Sequence, residues 1–494
     1  MKVQFVDQTL RDGQQSLWGL RLRAFEAVEA LPHLDNTGFR LLDLTGAGMF
    51  TVLLRTFKDD PWESTDLLVA GLPNTKLRAA TRTVSVGGMG FAPDSVVDLW
   101  VQTMAKHGID SFWIFDCSYD MPKLKRLVDV VKEAGAEPAP AVMYGLTDVH
   151  TDAWFAERAR EMDSWDVPSI YVEDAAGVLT PERATTLLPA LQEATPDTPL
   201  ELHCHTTTGL AQLVYLEGLK AGIDILHTCS RPMANGPSLP STEAMLANLR
   251  ILGHEHDLDE AQLAPVAEHF ERAALAHGPE YELGVPNEYS LLPYEHQLPG
   301  GMTGSLKKNL ADHGMEDQLT AVLEEIPAVR RDLGEPIMAT PFSQFVGIQA
   351  LLNIVSGERY KVIPDEVVQY TLGQYGPLAR EVEPDVKDRI LASPGAAKFE
   401  GWEQPQPTLA DLRKKFGKSI RDEELLLRAL FSEDEVDAMI SAGPIPRDPR
   451  TSASQIVENV RELVAEARDS RAVSISQPGF SIELRRGDPA DSPA

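Results

Sequence analysis

The alternation of short apolar segments with amphipathic ones is the feature that most restricts how this chain can fold. Up to about residue 280, each apolar segment has the length of a buried strand and precedes a helix-like stretch rich in Ala, Leu and Glu. Repeated strand–helix units favour parallel strands, so the pattern predicts an α/β fold, either a (β/α)8 TIM barrel or a doubly wound sheet. The predicted strands are 3–6, 39–44, 77–84, 111–115, 137–143, 169–172, 200–203 and 223–228.

Two histidines lie at the end of the seventh predicted strand. His203 and His205 are two residues apart, so on a strand both imidazoles point to the same face. Asp12 follows the first predicted strand and could add a carboxylate, because strand ends meet at one mouth of a barrel. Two imidazoles and a carboxylate can hold a divalent metal. A His-x-His pair also occurs at structural or surface positions, and the pair alone does not decide between these interpretations.

Composition and net charge restrict which partners and which compartment this protein can have. The net charge of −30 at pH 7 argues against nucleic acid and anionic membranes as partners, because both would repel the chain. No apolar segment approaches the ~20 residues that span a bilayer, and no signal peptide is evident. The cysteines, Cys117, Cys204 and Cys229, have no paired spacing and suit a reducing compartment. We expect a cytoplasmic protein.

The 494 residues predict more than one domain. We expect a catalytic barrel over 1–290, a helical domain over 291–445, and a terminal helix with a disordered tail over 446–494. The tail from Arg485 has the composition of a disordered segment. Helical patterning predicts helices at 318–331, 344–355, 365–372, 383–391, 422–431 and 454–468.

Seven short segments occur in an order that is typical of one family: residues 9–16, 59–63, 108–116, 221–224, 296–302, 340–347 and 357–361. In this order they resemble the biotin-dependent carboxyltransferase family that serves pyruvate carboxylase, transcarboxylase and the oxaloacetate decarboxylase α subunit. That family lies within a superfamily of metal-dependent TIM-barrel lyases. The resemblance implies a TIM barrel followed by a helical domain. It also implies a homodimer that moves CO2 between carboxybiotin and a small carbon acid through an enolate.

The resemblance implies a metal site. Asp12, His203 and His205 match three ligands of a divalent metal that polarises a substrate oxygen. The fourth ligand in the family is a carbamylated lysine, and Glu173 stands at that position here. Its carboxylate is carried on a shorter arm, so Glu173 could bind the metal directly, bind through a water, or not bind. The ligand types suit Zn²⁺, Mn²⁺ or Co²⁺.

The substrate residues are also carried over by resemblance. Arg11 would neutralise the enolate oxygen, Gln15 would hydrogen-bond the substrate, and Arg82 would pair with the substrate carboxylate. The family's proton-shuttling threonine is replaced by Pro237, which has no side-chain proton. A shuttle would have to come from Ser238 or another group. Trp113 replaces an arginine that is usual in the family.

Three functions stay open at this point. The sequence contains no carrier-type lysine motif, so biotin would be supplied in trans by a separate carrier protein, loaded by a separate biotin carboxylase subunit. The changes at Glu173 and Pro237 leave room for a biotin-independent decarboxylase, lyase or aldolase on the same scaffold. A non-catalytic partner subunit is the third alternative.

Overall fold

Eight parallel strands form a closed barrel. The computed structural model describes residues 1–87, 90–278, 281, 292–312, 314–399, 401–447, 472–477 and 480–485. The first strand pairs with both the second and the eighth, and the strands follow their chain order around the ring. Strand–helix–strand units of one hand produce this arrangement. The prediction of a (β/α)8 barrel is confirmed, and the doubly wound alternative is excluded.

The strands lie close to their predicted positions. Two of the eight have the predicted bounds, and the others differ by one or two residues at one or both ends. A short ninth strand, β9 (Glu255–His256), pairs with the first strand outside the ring. The barrel strands are β1 (Lys2–Asp7), β2 (Leu41–Gly46), β3 (Leu77–Arg82), β4 (Ser111–Phe115), β5 (Glu137–Met143), β6 (Ile170–Asp174), β7 (Leu200–Cys204) and β8 (Ile225–Thr228).

Helices cover the outside of the barrel. Side-chain caps begin several of them; the Thr180 hydroxyl, for example, accepts a hydrogen bond from Arg183 N ahead of the helix that follows β6. The helices of the barrel region are α1 (Gln14–Trp18), α2 (Ala24–Ala27), α3 (Leu31–Asn36), α4 (Ala47–Val52), α5 (Pro61–Ala70), α6 (Asp94–Lys106), α7 (Met121–Glu133), α8 (Asp152–Asp163), α9 (Pro181–Ala194), α10 (Ala211–Lys220), α11 (Thr242–Leu252) and α12 (Leu263–His277).

A layer of paired charges fills the barrel interior towards the N-terminal ends of the strands. On β7, apolar residues that face the helices alternate with Glu201 and His203, which point inwards. Glu201 binds the Arg78 guanidinium of β3 across the barrel, at 2.6 and 3.0 Å, and its Oε2 lies 2.9 Å from His227 Nε2 of β8. These charges are fully buried but paired, which is the condition under which an interior tolerates them.

Five of the six predicted C-terminal helices are present in the described part of the chain. Each of the five predicted between residues 318 and 431 lies within two residues of its expected bounds. The helices of this region are α13 (Pro293–His296), α14 (Gly300–Asp312), α15 (Leu319–Asp332), α16 (Phe342–Ser356), α17 (Asp365–Thr371), α18 (Pro384–Leu391), α19 (Leu409–Phe416), α20 (Asp422–Leu430) and α21 (Glu433–Ala442).

The C-terminal helices fold back on the barrel. The Trp62 indole on α5 donates a hydrogen bond to Glu423 O on α20, at 3.2 Å. Arg55, which follows α4, lies 2.9 Å from the Glu435 carboxylate on α21, and its guanidinium lies over the ring of Phe431. These contacts place the C-terminal helices at the barrel mouth.

The last described segment differs from the prediction. Two antiparallel strands, β10 (Ala472–Gln477) and β11 (Phe480–Arg485), pair with each other, and the sequence did not predict them. The helix predicted at 454–468 and the tail after Arg485 lie outside the described residues. The domain boundaries stay predictions. Within the described part of the chain, each helix is too short or too polar to cross a membrane.

Candidate metal centre

The three predicted metal ligands lie together at the C-terminal mouth of the barrel. His203 is on β7, His205 directly follows that strand, and Asp12 belongs to the helical turn Thr9–Gly13 after β1. His203 Nε2 lies 3.3 Å from both His205 Nε2 and Asp12 Oδ2, and His205 Nε2 lies 3.6 Å from Asp12 Oδ1. All three residues are buried. Among the described residues, they form the one His/Cys/Asp/Glu group whose ligand atoms all lie within 4.8 Å of one another.

Each ligand is held in place by a second contact. His205 Nδ1 lies 2.6 Å from Pro237 O; because a carbonyl only accepts, Nδ1 carries the hydrogen and the neutral ring has its lone pair on Nε2. His203 Nδ1 lies 2.5 Å from the Tyr171 hydroxyl. Asp12 Oδ1 accepts a hydrogen bond from Ser16 Oγ at 2.7 Å. Contacts of this kind orient metal ligands and fix their tautomers.

The distances and charges fit a divalent metal. Two nitrogens about 2.0–2.1 Å from one zinc ion, at a tetrahedral angle, are about 3.3 Å apart, and the two Nε2 atoms are 3.3 Å apart. Burial lowers the pKa of His205, but the Asp12 carboxylate outweighs this effect and raises that pKa to about 9. A positive charge is therefore favourable between these side chains, and a metal ion would supply it.

Arg11 keeps a fixed positive charge beside the ligands. Its Nη1 lies 2.8 Å from Asp12 Oδ2 and its Nη2 lies 3.2 Å from Asp43 Oδ2. Its guanidinium also lies 4.8 Å from the centre of the Trp113 ring. Burial raises the pKa of Asp12, but Arg11 and the two histidines hold it well below its usual range. Asp12 is therefore ionised at neutral pH, as a metal ligand must be.

Glu173 lies beside the three ligands without joining their group. It is paired in register with His203 on the neighbouring strand and lines the cavity at the barrel mouth. Its Oε2 is buried and has no hydrogen-bond partner among the described residues. Burial raises the pKa of Glu173 to about 8. Whether this carboxylate serves as a fourth ligand or as an acid–base group stays a prediction.

Asp12 and His205 line a cavity of about 740 Å³ between the barrel mouth and the C-terminal helices, and His203 is buried behind them. Of the predicted substrate residues, Arg11, Gln15 and Arg82 line this cavity. Burial lowers the pKa of Arg82 to about 10, so the guanidinium stays charged at neutral pH. Ser238 is not among the described lining residues. It is fully buried, and its hydroxyl donates a hydrogen bond to Met233 O at 2.7 Å.

Sequence reasoning missed two residues that support the site. Asp43 holds Arg11, and Tyr171 holds His203. Tyr171 precedes Glu173 by two residues on β6, so the alternation rule that paired the two histidines also placed it on the inner face. Its contact with His203 on β7 depends on how the two strands are paired, which the sequence does not state.

Comparisons with known proteins agree with the geometry. Residues 2–269 match the HMGL-like family, and residues 294–457 match the conserved carboxylase domain. A pyruvate carboxylase subunit from Methanocaldococcus jannaschii is 31% identical, over 98% of this chain and 86% of its own length. The 2-oxoglutarate carboxylase large subunit of Hydrogenobacter thermophilus is 32% identical, over 89% of this chain and 68% of its own length.

A solved structure matches both regions. The carboxyl transferase domain of Rhizobium etli pyruvate carboxylase, determined with pyruvate, superposes with a TM-score of 0.80 at 25% identity. The match covers 89% of this chain and 77% of that domain. The resemblance seen in the sequence is thus supported by both family matches, by both relatives and by the superposed structure. The chain therefore belongs to the carboxyltransferase family of biotin-dependent carboxylases, which includes its pyruvate carboxylase relative from Methanocaldococcus jannaschii.

Proposed function

We propose that this chain transfers a carboxyl group between carboxybiotin, carried on a separate protein, and a small 2-oxo acid. The observation that carries the proposal is the convergence of Asp12, His203 and His205 beside a cavity that Asp12, His205, Arg11 and Arg82 line. Relatives named for pyruvate and for 2-oxoglutarate support a 2-oxo acid as the substrate class.

The proposed chemistry assigns a role to each residue. Asp12, His203 and His205 would hold a divalent metal, either Zn²⁺, Mn²⁺ or Co²⁺, which supplies Lewis acidity towards a carbonyl oxygen. Arg82 binds the substrate carboxylate, for which a planar guanidinium provides two parallel donors. Gln15 orients the substrate. These contacts fix the carbon that gains or loses the carboxyl group next to the biotin ring.

Arg11 stabilises the charge that forms during the reaction. Loss of a proton or a carboxyl group from the carbon next to the carbonyl leaves an enolate. The Arg11 guanidinium is held between two carboxylates and an indole ring, so it needs no rearrangement when this charge develops. The preorganised charge thus favours the enolate over the keto form of the substrate.

We assign Glu173 as the carboxylate that completes the site. Pro237 cannot shuttle a proton through its side chain, and the Ser238 hydroxyl is engaged with a backbone carbonyl. Glu173→Gln separates the two roles open to this residue. Loss of bound metal indicates direct ligation, whereas retained metal with lost turnover indicates proton transfer at Glu173 Oε2.

The relatives support a multisubunit assembly. The pyruvate carboxylase, 2-oxoglutarate carboxylase and methylmalonyl-CoA carboxyltransferase relatives are each named as one subunit of an enzyme. We accordingly propose a biotin carrier protein and a biotin carboxylase as separate partner chains, a homodimer of this chain, and a cytoplasmic location. A pull-down with a biotinylated carrier domain and a light-scattering mass measurement test the carrier and the dimer.

The functional test is the dependence of turnover on biotin. The metal-loaded chain is mixed with labelled oxaloacetate and other 3-carboxy-2-oxo acids, with and without free biotin or a biotinylated carrier. Label release stimulated by biotin, and lost in His205→Ala, supports the proposal. Label release that is the same with and without biotin points to the biotin-independent decarboxylase or lyase, which the altered positions 173 and 237 favour. Folded, metal-loaded chain without any release points to the non-catalytic subunit.

A further inference from the structure

The cavity wall at the barrel mouth has a polar half and an apolar half. The polar half carries Asp12, which follows β1, Glu173 on β6, and His205, which follows β7. The other half comes from the three consecutive strands β3, β4 and β5. There, the side chains that line the cavity besides Arg82 are Ala80, Trp113, Phe115 and Met143, which we call the apolar arc.

The apolar arc has a fixed shape. The Trp113 ring stacks on Phe115 with centroids 4.7 Å apart and an interplanar angle of 19°. It also stacks on Tyr171, at 4.9 Å and 18°. Both cavity-lining rings are at least nine-tenths buried. The arc is therefore a preformed surface, and an apolar group of a ligand can cover it at a small cost in conformational entropy.

The arc lies where the rest of a bound substrate must go. Met143 pairs in register with Glu173 of the polar half, and Phe115 pairs with Arg82. A 2-oxo acid with its carbonyl at the metal site and its carboxylate at Arg82 would therefore turn its remaining side chain towards the arc.

The charges in the cavity do not favour a second, distal carboxylate at this place. The arginines among the described lining residues are Arg11, Arg55 and Arg82. Arg11 is bound to Asp12 and Asp43, and Arg55 is paired with Glu435 at the outer edge. A carboxylate against the apolar arc would lose its hydration. The guanidinium that lies over the arc, that of Arg11 above Trp113, is already bound to two carboxylates.

We propose that the substrate is a monocarboxylic 2-oxo acid with a bulky apolar side chain, branched or aromatic, that covers the apolar arc. This inference rests on the proposed function and names the substrate class of that site. Neither pyruvate, which leaves the arc uncovered, nor 2-oxoglutarate, which places a charge on it, has the required side chain.

Binding and enolisation test this inference without biotin. The full chain, loaded with Mn²⁺ or Zn²⁺, is titrated with pyruvate, 2-oxoglutarate, 4-methyl-2-oxopentanoate and phenylpyruvate. Exchange of the C3 hydrogens into D2O is followed by NMR for each acid. Since every buried methylene adds to binding, we expect the apolar acids to bind about tenfold more tightly than pyruvate or 2-oxoglutarate, and to exchange faster at low concentration.

A matched pair of variants tests the arc itself. Met143→Ala removes part of the arc, whereas Met104→Ala removes the same side chain from the core on α6, away from the cavity. We expect the preference for apolar acids, taken as a ratio of Kd values, to fall several-fold in the first variant only. The ratio does not depend on the folded fraction. An equal change in both variants would overturn the role of the arc.

The outcomes separate this inference from the proposed function. Equal or tighter binding of pyruvate or 2-oxoglutarate overturns the substrate class, while biotin-stimulated turnover with them leaves the proposed function intact. Tight binding and exchange of the apolar acids, without carboxyl transfer from carboxybiotin, supports the substrate class and overturns the proposed function. Failure of every 2-oxo acid to bind overturns both.

Discussion

Replacing Tyr171 by phenylalanine should weaken metal binding without unfolding the barrel. The change deletes one atom, the hydroxyl oxygen 2.5 Å from His203 Nδ1. The nearest remaining polar contact of that nitrogen is His227 Nδ1 at 3.3 Å, which already lies 2.8 Å from Gln8 Nε2. In the variant, the imidazole of His203 therefore loses its short contact and keeps only a longer one.

The size of the effect follows from the geometry. Loss of a partner that orients a metal ligand typically costs about 10- to 100-fold in affinity, or ~1.4–2.7 kcal/mol. We expect the Kd for Zn²⁺ or Mn²⁺ to rise by this factor in Tyr171→Phe. The assay is a competition titration of the metal-free chain against a chromophoric chelator, with the free energy of unfolding measured alongside.

Tyr119→Phe is the matched control. Its hydroxyl is also buried and donates a hydrogen bond to Met143 O at 2.9 Å, but it contacts no metal ligand. Tyr119→Phe loses one hydrogen bond, and Tyr171→Phe also loses a long one of 3.4 Å from Gln8 Nε2. Each variant should lose about 1–2 kcal/mol of stability. Only Tyr171→Phe should lose metal affinity. An unchanged Kd in Tyr171→Phe, or equal losses in both variants, would refute the idea that this hydroxyl orients a metal ligand.

Three further predictions concern the scaffold. Glu201→Gln breaks a buried ion pair and should cost about 3–5 kcal/mol of unfolding free energy, against at most about 1 kcal/mol for Glu137→Gln in an exposed pair, by urea denaturation. Gly177→Ala should reduce the metal content measured by mass spectrometry, because the Cβ of the alanine would lie 2.6 Å from the backbone oxygen of His205. Gly222→Ala should leave the metal content unchanged, because that glycine also has a positive φ but has open space around it. Burial raises the pKa of Asp7 to about 7, above its unfolded value, so the stability from its protonated form is complete below about pH 4 and lost as the pH rises through 7. Asp7→Asn should therefore flatten the decline in unfolding free energy between pH 4 and 8, and an unchanged slope would contradict this assignment.

Much of the barrel could be predicted from local patterns. A strand that is buried on both faces appears as a short apolar segment, and β4 and β5 were predicted with their observed bounds for this reason. The metal ligands were also accessible, because alternation placed His203 and His205 on one face. Asp12 followed from the rule that strand ends meet at one mouth.

Contacts across the barrel could not be predicted in this way. Arg78 and Glu201 are 123 positions apart in the sequence, and only closure of the ring brings them together. The same applies to Tyr171 and His203, whose contact depends on the register of β6 against β7. For Pro237, the sequence showed that a hydroxyl was missing, but the role of its carbonyl as a hydrogen-bond acceptor became visible only in three dimensions.

Metal content of the untagged chain, measured by mass spectrometry beside His205→Ala and Glu173→Gln, is the most direct test of the proposed site. The three-ligand geometry predicts about one divalent metal per chain in the wild type and its loss in His205→Ala. The Glu173→Gln result then decides whether that carboxylate is a ligand. A wild-type chain that stays free of metal after reconstitution with Zn²⁺, Mn²⁺ and Co²⁺ would contradict the account.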